Sequence, residues 1–124
     1  MKIRITENKI RVRLKEPEVV RLYEGMPIME TLEFGGQPDQ QLKFRLETYD
    51  QPNLGITYQP GCVLIQIPGT FSQVLVTTDR VGYDGDVQTV HGASIYLLIE
   101  KDFECLDAPE EDNEGSYPNP KQAC

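Results

Sequence analysis

The sequence predicts an α+β fold that is rich in strands: a curved antiparallel sheet or barrel of about six to seven strands, covered by one or two short helices. Apolar and polar residues alternate along most of the chain, which is the pattern of half-buried strands. The segments with helical spacing span only about two turns each. The connections between predicted elements are short, which favours antiparallel pairing over parallel crossovers.

The first predicted element is a hairpin. Residues 1–6 and residues 9–14 alternate between apolar and mostly basic side chains, and Glu7-Asn8 between them is predicted to form the turn. One face of the hairpin then carries the apolar side chains. The other face carries a series of cations, which we call the basic ladder: Lys2, Arg4, Lys9, Arg11, Arg13 and Lys15.

The basic ladder requires negative charge nearby. A two-residue turn places Arg4 opposite Arg11 and Lys2 opposite Arg13, and like charges that face each other across a hairpin cost up to ~1 kcal/mol per pair. Acidic residues of neighbouring strands or of the C-terminal region are the simplest compensation. A bound phosphate or carboxylate is the alternative, because the guanidinium group matches such anions in shape and charge.

A short helix is predicted to follow the hairpin. Pro17 suits the first turn of a helix, where a backbone N–H has no partner within the helix. Val19, Leu22 and Tyr23 fall on one helical face, and Gly25 is a typical helix end.

Alternating or continuously apolar residues predict five further strands, at residues 28–34, 41–49, 55–58, 62–67 and 94–101. Residues 71–77 fit either a strand or a short helix, and we favour the helix, with Thr70 as its N-terminal cap. Residues 81–86 contain two glycines and two aspartates and are predicted to form a loop or a loose hairpin.

The length of 124 residues fits one β-rich domain, which we place at residues 1–106. Residues 107–124 contain three prolines and many acids, and are predicted to form an extended acidic tail. Cys62, Cys105 and Cys124 are odd in number and lack CxxC spacing, and no apolar run is long enough to cross a bilayer. These features, with charges near the N-terminus, predict a cytoplasmic protein in which Cys62 is buried.

The distribution of charge is uneven. The chain has 12 basic and 20 acidic residues and a net charge of −8, which argues against nucleic-acid binding. Residues 1–21 nevertheless contain seven basic and three acidic residues, and residues 100–124 contain two basic and eight acidic residues. The two ends of the chain are therefore electrostatically complementary.

Two candidate sites follow from these charges. The candidate anion-binding site consists of three guanidinium groups of the ladder: Arg4, Arg11 and Arg13. The candidate acidic counter-cluster consists of three carboxylates on one face of the last predicted strand: Glu100, Asp102 and Glu104. These carboxylates could bind Mg²⁺ or Ca²⁺, but a match with the ladder is simpler because its charges are already present. No cofactor is expected, and no catalytic residue is assigned, because Cys105 and His91 lack any further catalytic pattern.

Two terminal motifs resemble a known family. The first is MKIRI-x-x-N-x-IR-x-RL at residues 1–14, and the second is EKDF-x-CL at residues 100–106, followed by an acidic pair and PNP. Together they are similar to a family of small bacterial proteins of unknown function, and the resemblance covers nearly the whole chain of 124 residues. It implies a single-domain bacterial cytosolic protein and implies no activity. A charged barrel would also be similar to the triphosphate tunnel enzymes, but their paired glutamates are missing from residues 3–7.

Two functions fit these residues. The first is a non-enzymatic binding or interaction module, whose basic face engages an acidic segment of its own chain or of another copy. The alternative is a protein or enzyme that binds a small anion through the N-terminal arginines. Neither function involves a membrane. A ladder that lines a concave pocket would favour the second function, whereas a ladder covered by acidic side chains would favour the first.

Overall fold

The computed structural model describes residues 1–104 and 113–118. Within these residues the chain forms eight strands, two α-helices and one short 3₁₀ turn at Pro38–Gln40. The helices and strands, in chain order, are β1 (Lys2–Thr6), β2 (Lys9–Leu14), α1 (Glu16–Tyr23), β3 (Ile28–Glu33), β4 (Gln41–Tyr49), β5 (Gly55–Gln59), β6 (Cys62–Pro68), α2 (Gly69–Thr77), β7 (Gly82–Gln88) and β8 (Ser94–Lys101).

The strands form two four-stranded sheets of the same design. The first sheet has the order β1-β2-β8-β7, and the second sheet has the order β3-β4-β6-β5. Each sheet consists of two antiparallel hairpins whose second strands pair in parallel, β2 with β8 and β4 with β6. The prediction of a β-rich α+β fold is confirmed.

The prediction of one antiparallel sheet or barrel with about six to seven strands is wrong, because the described residues form eight strands in two mixed sheets that do not close into a barrel. Short connections correctly indicate the hairpins, whose strands are neighbours in sequence. The parallel pairing between hairpins joins distant parts of the chain instead, such as Lys9 with Tyr96. The length of a connection carries no information about such pairing.

Residues 81–86, predicted to form a loop or loose hairpin, lie instead in strand β7, which pairs with β8 along its whole length. The glycine at the start of this strand is needed for packing. A Cβ atom at Gly82 would lie 2.4 Å from the carbonyl oxygen of Ile99, well inside a van der Waals contact. Glycine therefore allows the close approach of β7 and β8 at this position, and no turn is involved.

Helix α1 forms where the sequence predicts it, with Pro17 in its first turn, but Tyr23 of the predicted apolar face is exposed. The side chain of Glu18 closes that turn, because its Oε1 accepts a hydrogen bond of 2.9 Å from the backbone N–H of Lys15. The chain leaves the helix at Gly25, whose φ of +83° is a left-handed value that favours glycine.

The favoured helix at residues 71–77 is confirmed as α2, but Thr70 does not cap it. The helix begins earlier, at Gly69, directly after Pro68, and no side chain caps its first turn. Ser72 is buried in this turn, and its hydroxyl group donates a hydrogen bond of 2.7 Å to the carbonyl oxygen of Gly69.

The two sheets pack face to face around one hydrophobic core. The core contains buried side chains from both sheets and both helices: Ile10, Val12, Leu14, Val19, Leu22, Ile28, Leu46, Ile65, Ile67, Leu75, Val87, Leu97 and Ile99. Helices α1 and α2 follow the carboxyl ends of β2 and β6 and pack against each other, so they cover one end of the sandwich. Neither helix of the described segments is long and apolar enough to span a bilayer.

Part of the predicted acidic tail is attached to the domain. Phe103 and Tyr117 form a β-bridge, and their rings lie 5.9 Å apart. The backbone N–H of Tyr117 donates to the carbonyl oxygen of Asp102 at 2.7 Å, and its own carbonyl accepts from Glu104 at 2.6 Å. Residues 113–118 therefore continue the packing of the domain, while the rest of the predicted tail lies outside the described residues and the boundary at residue 106 stays a prediction.

Candidate functional site

The basic ladder lies on the outer face of the first sheet. Both residues of the β1–β2 turn have positive φ angles, 52° and 60°, as a tight two-residue hairpin turn requires. The predicted register is confirmed, with Arg4 opposite Arg11 and Lys2 opposite Arg13. Because the apolar residues of β2 are buried in the core, the cations of the same strand point away from it.

Glu100 lies between two arginines of the ladder. The guanidinium Nη2 of Arg11 is 2.5 Å from Glu100 Oε1, and Nε of Arg13 is 3.2 Å from the same oxygen. The side chain of Glu100 is only 14% exposed, so water weakens these contacts less than it would at an open surface. One carboxylate thus neutralises two of the three arginines in the candidate anion-binding site.

The other two carboxylates of the candidate acidic counter-cluster make different contacts. Asp102 is buried, and its Oδ2 lies 2.9 Å from Lys2 Nζ and accepts a hydrogen bond of 3.4 Å from the Ser116 hydroxyl group. Glu104 is exposed and bonds to Tyr117 through its backbone N–H. Residues 1–104 and 113–118 contain no group of three metal-ligating side chains, so within them these carboxylates do not converge on a metal position.

Lys101 lies among these carboxylates in sequence but points into the molecule. Its side chain is buried, and Nζ donates a hydrogen bond of 2.9 Å to the carbonyl oxygen of Thr78, just beyond α2. The same ammonium group lies 5.0 Å from the centre of the Tyr117 ring. Residues 100–103, the EKDF motif, therefore connect the first hairpin, the end of α2 and residues 113–118.

Arg4 and Lys9 differ from Lys2, Arg11 and Arg13, which pair with carboxylates. Neither side chain has a hydrogen bond or ion pair within the part of the chain that the structure describes. Together with Tyr96 and Leu98 they border a shallow depression of about 240 Å³ on the outer face of the first sheet. Arg11 borders the same depression, but it shares the Glu100 carboxylate with Arg13, whereas Arg4 does not contact that carboxylate. Anion binding by the three arginines stays a prediction.

A larger cavity lies between the two sheets, at the end opposite the helices. It has a volume of about 660 Å³, and its walls come from the amino-terminal halves of the central strands and from neighbouring loops. The apolar part of the wall consists of Ile5, Ile10, Leu42, Phe44, Ile56, Val63, Val90 and Ile95. Sequence reasoning missed this cavity, since its walls combine short pieces of six strands that share no motif.

The mouth of the cavity combines exposed apolar and polar groups. Tyr58 and Val90 are 70% and 93% exposed there, which is high for large side chains of this type. Asn8 is held in place, because its side-chain amide donates a hydrogen bond of 2.8 Å to the carbonyl oxygen of Ser94. Within residues 1–104 and 113–118, Lys9 and His91 are the basic residues of the lining, and no Asp or Glu belongs to it.

Three described groups have raised pKa values, and all three lie outside this cavity. Burial raises the pKa of Tyr117 to about 12. The pKa of Tyr96 is raised because its hydroxyl group donates a hydrogen bond of 2.6 Å to Asp84. Burial opposes the charge of the Met1 amino group, but hydrogen bonds to two carboxylates outweigh it and raise its pKa.

The cysteines and the histidine do not form a catalytic group in the described residues. Cys62 is a free thiol, and it is partly exposed where the sequence predicts burial. His91 is exposed at the mouth of the cavity. Cys105 and Cys124 lie outside the described residues.

The fold and the site define a small α+β protein with two mixed sheets, an apolar cavity between them and a charge-matched outer face. The chain belongs to a family of unknown function, DUF7009, which it matches over residues 1–121. This finding confirms the resemblance that the terminal motifs indicate. Comparisons with curated proteins and with solved structures gave no match.

Proposed function

We propose that the protein is a non-enzymatic binding module for a small amphipathic anion, whose apolar body enters the cavity between the sheets and whose acidic group stays at the mouth. The observation that carries this proposal is the composition of the lining, which is mainly apolar and, among the residues that the structure describes, contains basic but no acidic side chains. The proposal combines the two expectations from the sequence, a binding module and a small anion, and moves the anion from Arg4, Arg11 and Arg13 to the cavity.

The size and walls of the cavity support an apolar body. Ligand pockets in proteins typically measure about 300–1,000 Å³ and combine apolar walls with a few polar groups, and the cavity of about 660 Å³ fits this description. Each Å² of apolar ligand surface removed from water contributes roughly 25 cal/mol. Contact with side chains such as Phe44, Ile56 and Val63 is therefore the main source of affinity that we propose.

The charge of the mouth supports an acidic head group. A sixth of the residues of this chain are acidic, 20 of 124, yet none of those in the described part of the chain belongs to the cavity lining. Lys9 belongs to the outer face of the first sheet but also borders this end of the cavity. It has no ion pair in the described part of the chain, so its ammonium group is available to a carboxylate at the mouth. The Asn8 amide, fixed by its bond to Ser94, supplies a polar neighbour on the same side.

The positions of the residues with raised pKa values favour binding over catalysis. Catalytic sites commonly contain residues with strongly shifted pKa values. The described groups with raised pKa values, such as Tyr117, lie outside the cavity. We keep a bacterial, cytoplasmic location as part of the proposal, on the odd cysteine count and the terminal motifs.

The ladder arginines are a weaker candidate for the anion site. Arg11 and Arg13 already share Glu100, and an incoming phosphate would have to compete with that carboxylate. The ladder also lies on an outer sheet face with only a shallow depression beside it, where an anion would stay hydrated.

Calorimetric titration with sodium decanoate tests the proposal. We expect saturable one-to-one binding to the wild-type chain, and at least about tenfold weaker binding to Val63→Trp, whose indole ring would occupy part of the cavity. Leu64→Trp is the matched control, because Leu64 is the next residue of β6 and lies outside the lining. Absence of decanoate binding to the wild type, or equal binding to both variants, would contradict the proposal.

The head group is tested separately with ligands of the same chain length. We expect the wild type to bind decanoate more tightly than decan-1-ol, and Lys9→Met to lose most of that preference. Lys43→Met is the control, since Lys43 is a basic residue of β4 outside the lining. A preference that survives in Lys9→Met would show that Lys9 does not recognise the head group.

A further inference from the structure

The outer face of the first sheet has a basic half and an acidic half. The strand register places its outward residues in three rows that cross the sheet from β1 to β7. The rows read Lys2–Arg13–Glu100–Gly82, Arg4–Arg11–Leu98–Asp84 and Thr6–Lys9–Tyr96–Asp86. The basic residues lie on β1 and β2, the acidic Asp84 and Asp86 lie on β7, and Leu98 and Tyr96 lie between them.

This face is uncovered within the described residues. Helices α1 and α2 pack against each other and the second sheet, and neither makes an extensive contact with the first sheet. Arg4 has no ion pair in this part of the chain, and the carboxylate of Asp84 bonds only to the neutral hydroxyl group of Tyr96. Two opposite charges on one open face, three strands apart, are thus left without an ionic partner.

We propose that this face binds the same face of a second copy of the chain, in a two-fold symmetric dimer. In such a dimer each contact occurs twice, so a surface must be complementary to itself. A face that is basic at one edge and acidic at the other meets this condition only if the two copies lie in one particular orientation.

The charges select that orientation. A two-fold axis that runs between the sheets, parallel to the strands, reverses the order of the strands and places β1 of one copy over β7 of the other. Each row then faces itself in reverse, so Arg4 of one copy lies opposite Asp84 of the other, and Arg13 opposite Glu100. An axis perpendicular to the strands would place β1 over β1 and bring like charges together.

The central residues are suited to the middle of this contact. In the selected orientation Leu98 faces Arg11, and Tyr96 faces the long apolar stem of Lys9. The face measures roughly 400 Å², from four strands about 4.8 Å apart and about six residues at ~3.4 Å each. This area is smaller than the ~800 Å² per partner of a standard interface, so we expect a weak, reversible dimer.

Charge-reversal variants test the dimer by sedimentation velocity at about 0.15 M salt, over about 10 μM to 1 mM protein. We expect Arg4→Glu and Asp84→Lys each to weaken self-association at least about tenfold, because each creates two like-charge contacts per dimer. An equimolar mixture of the two variants should recover association, since both contacts in the mixed dimer then join opposite charges.

The mixture of variants tests the contact between two copies separately from any interaction within one chain. Within one chain, Arg4 and Asp84 lie three strand spacings apart, about 14 Å, beyond the Debye length of ~8 Å at this salt concentration. Lys43→Glu on the second sheet is the control for a change in net charge, and it should leave self-association unchanged. Wild-type protein that stays monomeric throughout, or a mixture that fails to associate more strongly than its components, would overturn the proposal.

Discussion

Arg11 and Glu100 form an ion pair across two neighbouring parallel strands, with Arg11 Nη2 2.5 Å from Glu100 Oε1. The register places Glu100 directly beside Arg13, which reaches the same oxygen at 3.2 Å. The cost of facing like charges in the first hairpin is therefore offset by the strand that pairs beside it. Three of the six cations of the ladder, which resembles a binding surface in the sequence, are therefore matched within the described residues: Lys2, Arg11 and Arg13.

A double-mutant cycle measures this match. We expect Arg11→Gln and Glu100→Gln to show a coupling free energy of about 1 kcal/mol in urea unfolding, because both side chains are partly shielded from water. The coupling of Arg13 with Glu100 should be smaller, since its distance is longer. A coupling near zero for Arg11 would mean that the pair contributes nothing to stability.

Gly82 and Gly85 give a matched pair of substitutions in β7. Gly82→Ala should destabilise the protein by about 1–3 kcal/mol, because its methyl group would overlap the backbone of β8. Gly85→Ala should change the stability by less than about 1 kcal/mol, since its nearest neighbour would be Leu54 Cδ1 at an ordinary 4.0 Å. Thermal unfolding distinguishes the two variants, and equal midpoints would contradict the close approach of β7 and β8.

Tyr117 predicts a loss of stability at high pH. Burial raises its pKa to about 12, above the usual value of 10.0, so the folded state holds the phenolic proton more tightly than the unfolded state. The contribution of this raised pKa to the free energy of unfolding is fully present below pH 10 and is lost as the pH rises to about 12. We expect Tyr117→Phe to lose less stability than the wild type across this window in urea unfolding. If the free energy of unfolding falls with pH in the same way for the two proteins, the pKa of Tyr117 is the same in the folded and unfolded states, which would contradict the prediction.

Local elements could be predicted from the sequence where short-range physics determines them. The turn and the register of the first hairpin were predicted correctly. A two-residue turn at Glu7-Asn8 allows one strand register, and a shift by one residue would bury the cations. The alternating pattern also gives the bounds of β4 and β8. Pro17 and Gly25 bracket α1 in the same local way.

The arrangement of these elements could not be predicted, because it depends on contacts between distant residues. No short-range sequence pattern indicates the parallel pairing of β2 with β8. Gly82 resembles a turn residue in the sequence, and its role in packing becomes evident only when Ile99 lies beside it in the fold. The cavity depends on even more contacts between distant residues. In the sequence, nothing distinguishes Ile5, Val63 and Ile95 from other strand residues. They line one cavity only because the two sheets pack together.

The most direct test of the proposed binding site is an amide NMR titration of ¹⁵N-labelled protein with sodium decanoate. Our account predicts that the shifting amides cluster around the cavity, at residues such as Ile56, Val63 and Ile95, and that Val63→Trp abolishes these shifts. Shifts confined to Arg4, Arg11 and Arg13 on the outer face would contradict the account and place the anion on the basic ladder.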